Sequence, residues 1–285
     1  MFKIMRDGKE VKSPKSDNIN IAQATLEICK EGKYTNHNHE VIDIDVQLKN
    51  TIDNTVLYDN SKVFSKPLTA MSILSMPSIS VTKEKAGTAA RRMLAEGKTN
   101  IVALNFASGT CPGGGFLGGA SAQEEDLCRA SGLYPSIKSK PKFYNDNIGN
   151  DNSHYNDSMI YSPNVVFFKD DDTFQPLDKP FSLSIITSPA PNLRSPSTDQ
   201  HLTDPKLPEI FRKRAIRIFE VARAHGHKNL ILGAWGCGAF GNDPKMVSDA
   251  FKEAMLVVPG FENICFAVYD TGDCKNFNHF TDAFK

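Results

Sequence analysis

Three apolar runs of strand length, NIVALNFAS (100–108), KNLILGAWG (228–236) and ENICFAVYD (262–270), are almost unbroken by polar residues. A strand with one wet face alternates polar and apolar residues, so unbroken runs belong to strands covered on both faces. Helical patterns separate them. KEKAGTAARRMLAEGK (83–98) ends near Gly97, and a long helix covers about 205–225, with Leu207, Ile210, Ala215, Ile218, Phe219 and Ala222 as core contacts. NDPKMVSDAFKEAML (242–256) opens on Asn242 or Asp243 as cap, with Pro244 at the first helical position. Adding SISVT (78–82), NVVFF (164–168) and FSLSIITS (181–188) as strands, the alternation predicts an α/β chain whose mostly parallel sheet carries helices on both faces.

Ahead of this pattern, residues 17–32 predict a helix capped by Asp17 and closed at Gly32, with an apolar stripe of Ile21, Ala24, Leu26 and Ile28. Residues 34–60 are polar with short β-branched pieces and read as weak strands in a peripheral layer. The expected division is therefore an N-terminal extension, 1–60, packed on a single compact core, 61–285. Residues 138–163 read as a long polar connection with little to anchor it.

Lysine plus arginine equals aspartate plus glutamate, 33 each, which argues against a general nucleic-acid binder. No apolar run reaches bilayer length, and the first residues lack the apolar middle of a secretory signal. Six cysteines stand far apart with no C-x-x-C pair, as suits a reducing cytoplasm. The expectation is a cytoplasmic monomer without membrane or sequence-specific nucleic-acid partners.

Ligands of such sheets bind where strands end at their carboxyl edge. Two strands leave into glycine-rich loops followed by helices: NFASGTCPGGGFLGGASAQEEDLCRASGLY (105–134) and GAWGCGAFGNDP (233–244). Glycine lets backbone N–H groups approach a ligand, and the helix start favours anionic oxygens, so the pair suits a diphosphate. The first loop lacks the lysine and serine or threonine of a P-loop. GCGAFG (236–241) fits G-x-G-x-x-G, but without the following acidic strand of a dinucleotide site.

Glu124 and Glu125 have bland readings. Ser121-Ala122-Gln123-Glu124 fits a capping box, and Glu125 can pair with Arg129 one turn on. Their side chains point about 100° apart on a helix, which argues for separate roles. His37, His39, His225 and His227 lack metal-ligand spacing, and the acid-rich stretch from Asp146 to Asp157 lacks calcium-loop spacing. Asp170 to Asp172 read as a solvated turn. Cys111 and Cys237 have no histidine near in sequence to activate them. Neither a metal nor a cofactor is expected.

The segment GGGFLGGASAQEE (113–125) resembles the signature of poly(ADP-ribose) glycohydrolases. MIYSPNVVFF (159–168), TSPAPN (187–192) and LGAWGCGAFGNDP (232–244) resemble the microbial-type members in the same order. The resemblance implies a macrodomain-like three-layer α/β/α fold with an N-terminal helical extension, binding ADP-ribose and ADP-ribosylated macromolecules. It makes Glu125 the acid that protonates the leaving ribose 2′-oxygen, with Glu124 on the ribose hydroxyls and Gln123 in support. Gly113, Gly114 and Gly115 would lie along ribose and diphosphate. Gly236, Cys237, Gly238, Ala239, Gly241 and Asn242 would wrap the diphosphate, with Phe240 on the terminal ribose and Asn105 at a ribose-contacting strand end. Thr82 and Tyr269 are candidates for the adenine pocket. The activity implied is hydrolysis of poly(ADP-ribose) from chain ends. A mono-ADP-ribosyl hydrolase and a non-catalytic ADP-ribose reader are the alternatives.

Overall fold

The computed structural model describes residues 5–6, 9–10, 14–60, 76–148, 153–194, 204–270 and 272–285. In chain order the elements are β1 (Met5–Arg6), β2 (Lys9–Glu10), α1 (Pro14–Glu31), β3 (Lys33–Thr35), β4 (Val41–Asp43), α2 (Asp45–Asp53), β5 (Val56–Tyr58), β6 (Ser78–Thr82), α3 (Ala86–Ala95) and β7 (Ile101–Phe106). There follow α4 (Gln123–Ala130), α5 (Leu133–Lys138), α6 (Pro141–Asn145), β8 (Met159–Lys169), β9 (Pro176–Ser188), α7 (Leu207–Ala224), β10 (Asn229–Leu232), α8 (Pro244–Val257), β11 (Asn263–Ala267) and α9 (Lys275–Ala283).

Seven strands form the central sheet in the order β5-β8-β9-β7-β10-β11-β6. β9, β7, β10, β11 and β6 run parallel, while β8 lies antiparallel to both β9 and β5. The sheet is mixed and mostly parallel, as the apolar runs require. Their side chains divide between two cores. Val102, Leu104, Leu230, Leu232, Ile264 and Phe266 pack with residues of α7, α8 and α9. Ala103, Ile231 and Cys265 pack with residues of α3, α4 and α5. With both faces covered by helices, no position along these strands can be polar without cost.

Three readings change. The described parts of 138–163 are not an unanchored connection. They hold the end of α5, then α6, and β8 begins five residues before NVVFF; Phe143 and Tyr144 are buried at 0% and 2% exposure. A register shift between Ser162 and Val165 bends β8, which hides the first half of the strand from simple alternation. The segment read as a peripheral layer supplies β5, an edge strand of the central sheet, through Val56↔Tyr161 and Tyr58↔Met159. Asp17 lies in the first turn of α1, not at its cap, because the helix starts at Pro14. The division placed after residue 60 abuts 61–75, outside the described residues. No described helix is long and apolar enough to cross a membrane.

Candidate active site

β7 ends at Phe106 and the chain turns back over its own strand end before α4 begins at Gln123. Phe116 anchors that loop, fully buried against Tyr134 with ring centroids 5.2 Å apart. Gln123 ties the helix start to the strand end: its Nε2 donates to Leu104 O at 2.7 Å, and its Oε1 accepts from Phe106 N at 2.8 Å. The amide side chain thus extends the ladder of β7 where the strand partner runs out.

The next residue, Glu124, does not close the helix. Ala122 is the N-cap residue and makes no side-chain cap bond. The Glu124 carboxylate reaches back to accept from Ser108 N at 2.8 Å and from Asn105 Nδ2 at 3.2 Å. Burial pushes its pKa up to about 8, against the pull of those two hydrogen bonds and with the nearby Glu125 adding to the rise. Glu125, 8% exposed, accepts from Gly115 N at 2.8 Å through Oε1. It has no bond to Arg129, whose partner is Asp126 at 2.9 Å. Arg129 is fully buried and also donates to Ala120 O. Asp126 in turn pairs with Lys85 at 2.8 Å.

The two carboxylates meet at Gly114. A Cβ there would stand 2.5 Å from Glu125 Oε1 and 3.1 Å from Glu124 Oε2, and the residue has φ of +56°. Both facts demand glycine. The helical geometry that argued for separate roles holds for the hydrogen-bond partners, yet the acid groups converge on one point.

The second loop is fastened from behind. Trp235, fully buried, donates from Nε1 to Ser188 O at 3.0 Å and packs on Phe211. Asn242 donates to Pro191 O at 2.7 Å and Gly236 O at 2.9 Å. Asp243, not Asn242, caps α8 through Lys245 N.

Between the loops lies a cavity of about 800 Å³, within the usual range for small-molecule sites. It follows the carboxyl ends of β7, β10, β11 and β6. Gly114, Gly115, Gln123, Glu124, Glu125, Gly236, Gly238, Ala239, Phe240 and Tyr269 all line it. Asn105 stands behind Glu124, fully buried. Gly113 backs onto Tyr134 and Cys128, and Gly241 onto Arg194. Cys237 leans on Trp235 O, and Asn242 is buried in the loop's foot. Thr82 faces Cys265, its hydroxyl 3.6 Å from Sγ. These last five and Asn105 lie outside the cavity lining and shape the walls instead.

Several wall residues escaped the sequence reading. Lys85 sits 5.1 Å from the Tyr269 ring centroid and donates to Asp171 O at 2.8 Å. Asp171 is no solvated turn residue: it is 3% exposed and accepts from Gly87 N and Thr88 Oγ1 at the start of α3. Asp171 and Glu84 line the same end of the cavity as Tyr269. Burial raises the thiols of Cys111, Cys128 and Cys237 above their ordinary range, which disfavours the thiolate a nucleophile needs. Among the described residues no group of three or more His, Cys, Asp or Glu is placed to hold a metal ion.

A family profile described as "Microbial-type PARG, catalytic domain" matches residues 22–170. Among solved structures, poly(ADP-ribose) glycohydrolase (PARG) from Thermomonospora curvata is 38% identical, over 94% of this chain and 99% of its own, with a TM-score of 0.88. Its complex with the inhibitor ADP-HPD matches over the same shares at 38% identity and a TM-score of 0.84. PARG from Deinococcus radiodurans in complex with ADP-ribose is 36% identical, over 84% of this chain and 97% of its own, with a TM-score of 0.72. No curated protein sequence matches the chain.

Proposed function

The chain belongs to the microbial-type poly(ADP-ribose) glycohydrolase family, and from that premise we propose how its own residues carry the reaction. As a member it is a glycosidase that hydrolyses the ribose–ribose O-glycosidic bond of poly(ADP-ribose) and releases ADP-ribose. The relatives are solved with ADP-ribose and with ADP-HPD; ADP-ribose is accordingly the ligand we place in this cavity, in a macrodomain-like mode. The diphosphate lies between the Gly113–Gly115 turn and the Gly236–Gly241 loop, where backbone N–H groups meet anionic oxygens. The adenine end falls toward Tyr269, Lys85 and Glu84, and the reacting ribose toward Phe240 and the two glutamates.

Glu125 is the proton donor to the leaving 2′-oxygen and then helps activate water as the oxocarbenium-like centre forms. Its Oε1 is held by Gly115 N, which leaves Oε2 as the oxygen for the proton transfer. Glu124, pinned at both oxygens by Ser108 and Asn105, orients the ribose hydroxyls. Many glycosidases divide acid and base between two separated carboxyl groups. Here one carboxyl does the proton work and the substrate's own diphosphate helps to place water. The observation that carries this reading is the convergence of two buried carboxylates over the one glycine at the wall of the cavity.

A volume of about 800 Å³ suits one ADP-ribose unit, which favours removal of single units from chain ends. A module that only reads ADP-ribose has no use for the converged pair. Six free thiols suit action in the cytoplasm, and we read the enzyme as a monomer.

The test is ADP-ribose release from defined polymer by the parent chain and by Glu125→Gln. We expect the variant to lose at least about a hundredfold in kcat, in line with the typical worth of a positioned general acid, while ADP-ribose binding by calorimetry persists. Equal rates would remove Glu125 from the acid role. Turnover of mono-ADP-ribosylated protein alone would favour the second hydrolase class.

A further inference from the structure

Residues 153–158 cross between the two glycine loops, and one side chain touches both. The Tyr155 ring lies flat on Gly109 of the first loop: a Cβ at Gly109 would come within 2.5 Å of its ring carbons. On its other side the ring stands 6.4 Å, centroid to centroid, from Phe240 of the second loop, tilted by 48°. Burial raises the phenol's pKa, and the nearby Asn192 side chain pulls it down against that rise. Asn192 N donates to Ser153 O at 2.8 Å and Leu193 N to Phe240 O at 3.0 Å, joining the crossing segment to the second loop through the backbone. Asn147 completes the tie, donating to Gly109 O at 3.2 Å and accepting from Asn156 N at 2.8 Å.

The backbone at Tyr155 is strained, with φ of +58°, a conformation that is uncommon for a bulky residue and is kept only where surroundings enforce it. The enforcement comes from Arg214 of α7, 1% exposed. Its guanidinium donates to Tyr155 O at 2.8 Å, His154 O at 2.5 Å and Pro189 O at 2.9 Å, while Nε pairs with Asp157 at 2.8 Å. Four bonds from one buried, planar fork fix the crossing segment to the end of β9. These bonds hold the segment that carries the Tyr155 ring between the two loops.

The geometry points to Tyr155 as a positioning residue for the glycohydrolase reaction. Acting as a spacer between Gly109 and Phe240, it sets the gap between the loops at the ribose end of the cavity and so the placement of the reacting ribose against Glu125. This inference rests on the glycohydrolase reading above. Tyr155 does not line the cavity, so it touches the substrate only through Phe240 and the first loop.

Steady-state hydrolysis of defined polymer, calorimetry with ADP-ribose and thermal melts should be run on the parent chain, Tyr155→Phe, Tyr155→Ala and Gly109→Ala. At a temperature where every variant is fully folded, Tyr155→Ala lowers kcat by about tenfold or more, since small misplacements of a reacting group cost that much. ADP-ribose affinity shifts by less than about threefold, because uniform binding by the loops is separate from placement. Gly109→Ala displaces the ring and reproduces the kcat loss, whereas Tyr155→Phe keeps the ring and most of kcat. Unchanged kcat in Tyr155→Ala, or parallel losses in kcat and affinity that follow the drop in Tm, would overturn the inference while leaving the glycohydrolase reading intact. A parent chain that binds ADP-ribose and leaves polymer uncut would overturn both.

Discussion

Glu124 links the chemistry of the site to the pH dependence of the fold. In the folded chain its pKa is raised from 4.5 to about 8 by burial. The folded state therefore keeps a proton that the unfolded chain surrenders, and stability falls as pH rises through that window. Glu124→Gln has no such proton to lose. We expect the difference in Tm between variant and parent to move in the variant's favour from about pH 5 to about pH 8.5, as the linkage requires. A constant difference would mean that the carboxylate is not held up. The sequence marked Glu124 as chemically interesting but supplied a local explanation, a capping box, that the structure replaces. Its true partners, Asn105 and Ser108, lie 19 and 16 residues back, and a pattern read over four residues cannot contain them. Gln123 is hidden for the same reason: its amide completes a strand, a contact that exists only once β7 and α4 are packed.

At the level of elements, α4 is held by charges that it does not share with water. Arg129 joins Asp126 within the helix and Ala120 ahead of it, and Lys85 reaches Asp126 from the start of α3. Arg129→Leu leaves Asp126 with Lys85 as its remaining partner and strips Ala120 O of its donor, so it should cost about 1–3 kcal/mol. Denaturant unfolding with an unchanged m-value is the check, and a cost below about 1 kcal/mol would place this pair in the range of exposed ones. Helices with local punctuation were legible to within two or three residues: Pro244 and Asp243 open α8, and Gly97 and Gly226 follow α3 and α7. α5 and α6 were not, since six and five residues are too few to show a period. α9 was also left unassigned in a polar stretch, although Phe277, Phe280 and Phe284 recur at helical spacing, with Phe280 and Phe284 packing on Phe266 and Phe277 against the same core.

For the molecule as a whole, we propose that residues 1–60 are a working part of the enzyme. α1 backs the first glycine loop, with Asn18 donating to Gly119 O at 3.2 Å and Thr25 to Arg129 O at 2.7 Å, and β5 closes the sheet edge beside β8. A chain lacking residues 1–60 should therefore lose cooperative unfolding and ADP-ribose binding together; retention of both would make the segment an appendage. The parallel layout was legible because double burial writes itself into unbroken apolar runs. Strand order was not, because neighbours in a parallel sheet are set by packing across long intervals. One such interval has a consequence for synthesis. β6 sits at the sheet edge with β11 as its neighbour, pairing Thr82 with Ala267, and from Thr82 to Asn263 the ribosome must add 263 − 82 = 181 residues. At roughly 5–20 residues per second, β6 waits roughly 10–40 s without its partner. Throughout that time a nascent chain exposes a half-built sheet edge, and β11, the latest-made strand of the described sheet, is the one that lets β6 settle.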